Sequence, residues 1–328
     1  MNLEERDFFR GYMRRIQGIK IMLMLASIVM LILIGVVIGL NIKKKNKTYP
    51  ELVVPSELAW TFQPGEEAQG IQDNFWSFAE ASYILVGEIP NVEFYKIAEG
   101  APRNDYNVEN FYIENGNEMF YHDDAGSRLT TITIDVSEFQ GSIDWQQVKD
   151  EGGVGMAIIR VGYRGYSGGS VNLDNMFFEN VQGAKEAGLR CGVYFYSQAV
   201  NYDEGVEEAN FVLENIAELG IDGPVVIDTE DAFADDARTN GISIEDRTDS
   251  VVAFCETVKS AGYEPMIYAN RNWYAMSLDM SRLYNYKLWL AQYSNMPSFP
   301  YQYVGWQYTD TGYVYGVEGS VDMNVWFE

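Results

Sequence analysis

An α/β protein is what this sequence predicts, with an irregular (β/α) TIM-like barrel at its C-terminal end, preceded by a transmembrane helix and a small β-rich spacer. Three observations predict it. From residue 130 onward, short apolar runs alternate with helix-spaced segments; residues 21–42 hold no charged side chain; and residues 111–121 carry a hairpin signature around Asn115-Gly116. The expected organisation is an N-terminal segment over 1–20, a membrane span over 21–42, a stalk or spacer module over 43–127 and a barrel over 128–328.

The apolar run comes first along the chain. At ~1.5 Å rise per residue, a helix over residues 21–42 crosses the ~30 Å hydrocarbon layer of a bilayer. The competing reading is a secretory signal peptide, which has a shorter apolar stretch and ends at an Ala-x-Ala-like site. Here Lys43, Lys44, Lys45 and Lys47 follow instead, which favours an uncleaved anchor. Charge does not orient it, because Arg6, Arg10, Arg14, Arg15 and Lys20 nearly balance the four lysines on the other side.

In the spacer, Phe111–Glu114 and Glu118–Tyr121 flank Asn115-Gly116, the dipeptide favoured in type I′ hairpin turns. Strand-like runs then recur at Thr131–Val136, Met156–Val161, Cys191–Ser197, Val225–Asp228, Pro265–Ala269, Lys287–Ala291 and Tyr303–Gln307. Between them Asn175–Ala187, Glu204–Leu219 and Asp246–Ala261 have helical spacing, each closed by or followed at once by a glycine, as helix C-termini often are. Such alternation implies a parallel sheet, and a closed barrel is its commonest one-domain form. A doubly wound open sheet is the alternative, but no Gly-rich phosphate loop follows the first strand.

Charge narrows the function classes. Residues 1–47 hold nine Lys/Arg against three Asp/Glu, a net of +6, whereas the remaining 281 residues hold 14 against 45, a net of −31. A domain that acidic repels a phosphate backbone, so nucleic acid is not an expected partner. The one histidine, His122, excludes a His-based zinc site or a Ser-His-Asp triad in the barrel. Cys191 and Cys255 read as buried apolar positions rather than a disulfide framework. Aromatics make up 14% of the chain, which favours a ligand surface of flat rings, although barrel cores also use them.

The strongest chemical signal is Val225-Val226-Ile227-Asp228-Thr229-Glu230, an apolar strand ending abruptly in two acids. Strand side chains repeat every two residues, so Asp228 and Glu230 share a face with Cα atoms ~6.6 Å apart. At the C-terminal end of a parallel strand that face opens onto the barrel mouth. Two acids there push their pKa values apart, one protonated and one ionised, which is what glycosidases need. An isolated Asp-x-Glu more often caps a helix or solvates a loop, but the first strand repeats the placement with Ile132-Thr133-Ile134-Asp135. Clustered carboxylates also serve metal-dependent phosphotransfer, yet no phosphate-binding loop accompanies these, and no cofactor or metal is expected. Tyr163, Tyr196, Tyr268, Trp289 and Trp306 lie near predicted strand ends, where aromatic faces stack on sugar rings; Tyr163, Tyr196 and Tyr268 are the preferred candidates.

Ile134-Asp135-Val136-Ser137-Glu138-Phe139-Gln140-Gly141-Ser142-Ile143-Asp144-Trp145 resembles the opening motif of glycoside hydrolase family 25 lysozymes. Later stretches fall in that family's order: Ala157–Tyr163, Ala187–Tyr194, Leu288–Tyr293, Trp306–Thr309 and Gly319–Asn324. The likeness covers about residues 130–328. It implies an acidic quartet at Asp135, Asp228, Glu230 and Asp322, with Glu230 as general acid, Asp228 as supporting anion, and Asp135 and Asp322 positioning substrate, water or the pair. Phe195 stands where members often carry His.

The resemblance further implies a muramidase that cleaves the β-1,4 bond between N-acetylmuramic acid and N-acetylglucosamine of peptidoglycan glycan strands. The expected location is the cell membrane, single-pass through residues 21–42, with residues 1–20 cytoplasmic and the catalytic domain outside, facing the wall. A non-catalytic peptidoglycan-binding wall protein is the alternative; the intact quartet argues against it.

Overall fold

The structure, a computed structural model, describes residues 79–87, 91–116 and 118–327. The expected transmembrane helix over 21–42 and the segment before it lie outside these; among the described residues no helix is long and apolar enough to cross a membrane. Two compact units divide after Lys96. In the first, β1 (Tyr83–Val86) and β2 (Glu93–Lys96) pair antiparallel. The second begins at Ile97, well upstream of residue 128, and contains the barrel.

That second unit opens with the hairpin β3 (Phe111–Glu114) and β4 (Glu118–Tyr121). Asn115 and Gly116 take φ of 47° and 94°, the left-handed values that an Asn-Gly turn supplies cheaply. Glu114 pairs with Glu118, so the connection is one residue longer than a two-residue hairpin.

The barrel elements follow in chain order: β5 (Thr130–Val136), α1 (Trp145–Asp150), β6 (Met156–Arg164), β7 (Val171–Leu173), α2 (Phe177–Glu186), β8 (Arg190–Ser197), α3 (Tyr202–Ile216), β9 (Val225–Thr229), α4 (Ile244–Ser260), β10 (Pro265–Asn270), α5 (Arg271–Met276), α6 (Met280–Leu283), β11 (Lys287–Ala291), β12 (Gly305–Gly312) and β13 (Val321–Phe327). Eight strands close in the order β5-β13-β12-β11-β10-β9-β8-β6, sealed by β5–β6, with β7 laid antiparallel beside β6.

The expected (β/α) TIM-like barrel is thereby corrected. The molecule is an eight-stranded mixed barrel with few helices, because β13 runs antiparallel to both β12 and β5 and no helix follows β11 or β12. The reason is the length of a connection. A parallel crossover takes a dozen or more residues, whereas only residues 313–320 join β12 to β13. The chain can therefore only turn back on itself there.

With those helices missing, the outer face of β12 and β13 needs another cover, and residues 97–127 supply it. Tyr106 stacks flat on Phe327, with ring centroids 3.9 Å apart, and Phe111 meets Trp306 edge-on at 5.1 Å. The Met119 amide donates to the Tyr308 hydroxyl at 3.2 Å. The barrel interior is filled by Met156, Ile158, Val226, Met266, Trp289 and Trp326, a buried apolar floor.

Candidate active site

At the open end, a cavity of about 750 Å³ is lined by side chains from the C-terminal ends of the parallel strands and from the start of β13. Asp135 (β5), Asp228 (β9), Glu230 just past β9 and Asp322 (β13) all reach it, as do Tyr163, Tyr196, Tyr268 and Trp289. Trp306 does not. It is fully buried on the opposite face of β12, against Phe111 and Tyr308, and its indole donates to the Gln292 carbonyl at 2.8 Å. Gln307, one residue on, takes the cavity side by strand parity.

Asp135 and Asp322 are directly paired across the antiparallel β5–β13 ladder, so their side chains stand on one face at close quarters. Two carboxamides orient Asp135: Asn324 Nδ2 donates to Oδ2 at 2.8 Å and Gln307 Nε2 at 3.0 Å. Each amide is held in turn. Trp289 Nε1 donates to Asn324 Oδ1 at 2.7 Å, and the Tyr268 and Tyr293 hydroxyls donate to Gln307 Oε1 at 2.8 and 2.9 Å. Both amides are thereby turned with nitrogen toward the acid.

The electrostatics follow from this packing. Burial raises Asp135, while the hydrogen bonds from Asn324, Gln307 and Asp322 pull it partly back. Asp322 is pushed up to about 9 by burial and by the Asp135 charge. At neutral pH, Asp322 therefore keeps its proton and shares it with Asp135. Burial raises Glu230 to about 7, helped by the charges of Asp135 and Asp231. Asp228 is driven well above the carboxylate range by burial first, then by Glu230 and Asp135; its Oδ1 has no hydrogen-bond partner among the described residues. A buried acid oxygen without a partner is costly, and a ligand group entering the cavity is what could satisfy it.

Arg160 is the one arginine lining the cavity. Its Nε donates to Asp174 at 2.7 Å and an outer nitrogen to Glu138 at 3.1 Å, so its charge is largely spent outside the quartet. A bulge in β6 between Arg160 and Gly162 shifts the parity, which is how Arg160 and Tyr163, three residues apart, both face inward. Phe139 lies 4.9 Å under the same guanidinium, lines the cavity and is 80% exposed. Phe233, three residues after Glu230, is 85% exposed at φ 50°, a backbone region costly for a bulky residue.

Sequence reasoning proposed neither Arg160 nor Gln307, Asn324, Tyr293 or Phe139 for the site. A signal existed for the first: a charge inside the apolar run Ala157–Val161 is costly unless paired. Among the described residues, no group of three or more His, Cys, Asp or Glu is placed to hold a metal ion.

Comparison with known proteins adds to this geometry. Residues 134–317 match the model for the family described as glycosyl hydrolases family 25. The chain is 31% identical over 196 residues to an autolytic lysozyme of Clostridium acetobutylicum, a match covering 60% of this chain and 55% of that protein. It is 29% identical over 202 residues to lysozyme M1 of Streptomyces globisporus, covering 58% of this chain and 66% of that one. It thus spans between half and two thirds of the length of these relatives. Among solved structures, a family 25 glycosyl hydrolase from Bacillus anthracis superposes with a TM-score of 0.53 at 24% identity, over 64% of this chain and 93% of that one. The modular autolysin LytC of Streptococcus pneumoniae, solved also with a synthetic peptidoglycan ligand, gives 0.53 at 24% identity over 74% of this chain and 58% of that one. These likenesses show the same fold.

Proposed function

The chain belongs to glycosyl hydrolase family 25, and from that premise we propose that it is a muramidase, hydrolysing the β-1,4 bond between N-acetylmuramic acid and N-acetylglucosamine in peptidoglycan. The observation that carries this reading is the state of Glu230: an acid at the rim of the cavity, held near pH 7 by burial and neighbouring charge, keeps a proton to give at neutral pH. Two of the relatives are lysozymes, which supports the same substrate class.

In this reading Glu230 protonates the glycosidic oxygen as the bond breaks. Above the apolar floor, Asp228, which lines the cavity with an Oδ1 unpartnered among the described residues, is the acid placed to meet the positive charge that develops on the sugar. Asp135, fixed by Asn324 and Gln307, orients the substrate or the attacking water, and the Asp322 proton spares the site a further charge. Tyr163, Tyr196 and Tyr268 offer ring faces and hydroxyls to the sugars. Residues 21–42 would hold the enzyme in the cell membrane with the barrel toward the wall, where its substrate lies.

Digestion of purified peptidoglycan tests the activity. New reducing ends on muramic acid are expected, and reducing ends on glucosamine overturn the bond assignment. Protease added to intact, wall-stripped cells tests the anchor: it should remove the barrel and leave a membrane-bound stub.

A further inference from the structure

Three loops meet at the rim above β6, β8 and β9, and one side chain ties them together. The longest, residues 230–243, starts at Glu230 and holds no helix or strand before α4. A loop of that length is costly to hold in one conformation, and the direction of Glu230 depends on it.

Arg238, midway along the loop, is bonded on every side. Its amide donates to the Tyr166 carbonyl of the β6–β7 loop at 2.7 Å. Its guanidinium forks onto Glu204 of α3, at 2.6 and 2.7 Å, and donates to the Gln198 carbonyl at 2.8 Å. Such two-pronged charge-assisted bonds are the strongest and most directional of their kind. Gly169, at φ 72°, lets the β6–β7 loop lie flat against this guanidinium, since a Cβ there would come within 2.9 Å of Arg238 Cζ.

Gln198, almost fully buried, completes the link. Its Oε1 accepts from the Thr239 hydroxyl at 2.8 Å, while its Nε2 points at the Glu230 carbonyl at 3.5 Å. The chain of contacts runs from the Glu204–Arg238 ion pair through Gln198 to the backbone of the acid itself.

We propose that Arg238 is a positioning residue for Glu230, bracing the loop through Glu204 and Gln198 so that the acid stays at the dry rim of the cavity. The proposal rests on the reading of Glu230 as general acid. Without the brace the loop loosens and water reaches the carboxyl. The groups around Glu230 remain in place: Asp228, Asp135, Asp231 and Tyr196. Loss of desolvation, the largest cause of its raised pKa, then returns Glu230 toward the ordinary range. Because the protonated form is the active acid, activity would be lost at lower pH on the alkaline side.

The test is the pH dependence of kcat and KM in the full chain acting on soluble glycan fragments. Arg238→Ala should lower kcat about tenfold or more with KM changed less, and move the alkaline limb of the kcat profile to lower pH. Arg238→Lys, which keeps the charge but not the fork, should show the same shift in smaller measure. The coupling between Glu204→Gln and Arg238→Ala should show in a double-mutant cycle as a combined effect smaller than the sum of the two, since they share the Glu204–Arg238 fork. Thr239→Val, which removes only the hydroxyl link, covers the case in which Arg238→Ala does not fold, and should move the limb in the same direction. An unmoved alkaline limb in the folded variants, whatever the loss of kcat, overturns the brace. Full activity in Glu230→Gln overturns the acid assignment instead, so the two failures are distinguishable.

Discussion

Two groups of carboxylates, one on α3 and one lining the cavity, are treated differently, and only the first is paired with arginines. Beside β6 and α3, Glu204, Glu207 and Glu208 are shared between two arginines: Arg164 reaches Glu208 and Glu207 at 2.7 Å, and Arg238 forks onto Glu204. In the cavity, Asp135, Asp228, Glu230 and Asp322 have only Arg160 near them, and its guanidinium is engaged by Asp174 and Glu138. At Glu204 the consequence is opposite in sign to that in the cavity. Burial raises Glu204, but the Arg238 fork, the Val200 amide and Arg164 more than offset it, and its pKa falls below the usual range. All four cavity acids are raised. Glu208 marks the limit of the contrast: fully buried, it is raised to about 7 despite Arg164, so a cation brings a carboxylate below its usual range only where burial is partial, as at Glu204. A polar cluster is read by what neutralises it, not by its composition alone.

The largest expected effect tests the unpaired group. Glu230→Gln keeps size and hydrogen-bonding reach but has no proton to give, so turnover should fall by ~10²–10⁴-fold with binding of glycan retained. Asp228→Asn should also be severe. Retained turnover in both would mean that the cavity acids are not chemical.

The paired group should answer in stability rather than in rate constants alone. Arg164→Met leaves Glu208 buried without its cation, and breaking a buried pair costs on the order of 3–5 kcal/mol. The urea midpoint should drop accordingly; a loss below about 1 kcal/mol, the range of exposed pairs, would place this cluster with surface ion pairs and undo the contrast.

A smaller effect of opposite sign is expected from the cavity. Asp322 has its folded pKa raised to about 9, so the native state binds a proton that the unfolded chain gives up near pH 4. Its contribution is fully present below the unfolded value and is lost as pH rises toward 9. Asp322→Asn should therefore flatten stability against pH and gain about 1–2 kcal/mol at pH 8. Thermal melts across pH 5–9 measure it, and an unchanged slope would mean that Asp322 is not the proton holder.

The smallest effect belongs to the loop joining the two clusters. Phe233→Ala removes an exposed ring close in sequence to Glu230; if that ring stacks on a sugar, worth ~0.5–1.5 kcal/mol, KM should rise a few-fold with kcat kept. A fall in kcat at constant KM would instead make Phe233 part of the brace.

Much of this molecule was legible before any coordinates. Seven of the eight barrel strands follow from apolar runs bounded by turn residues, and the Asn115-Gly116 hairpin from two residues that tolerate positive φ. The eighth strand, Val321–Phe327, escaped because Asp322 and Asn324 interrupt its apolar pattern; Asp322 lines the cavity and Asn324, buried behind it, bonds Asp135. Trp306 was legible as an aromatic near a strand end but not as an outward one. Parity says only that Trp306 and Gln307 oppose each other, and the hairpin packed on Trp306 says which is outside. Tyr163 faces the cavity only because a bulge in β6 breaks parity.

By itself, then, the sequence determined the strands, the long helices and the placing of acids at strand ends, because these depend on periods of two or 3.6 residues and on local turn chemistry. Strand direction, the closing of the barrel, the amides that turn Asp135 and the arginine that braces Glu230's loop were decided only in the tertiary structure. Asp135 and Gln307 are 172 residues apart in the chain and 3.0 Å apart in space. No local period encodes such a pair; it exists because an eight-residue return between β12 and β13 forces the last strand to run backward beside the first.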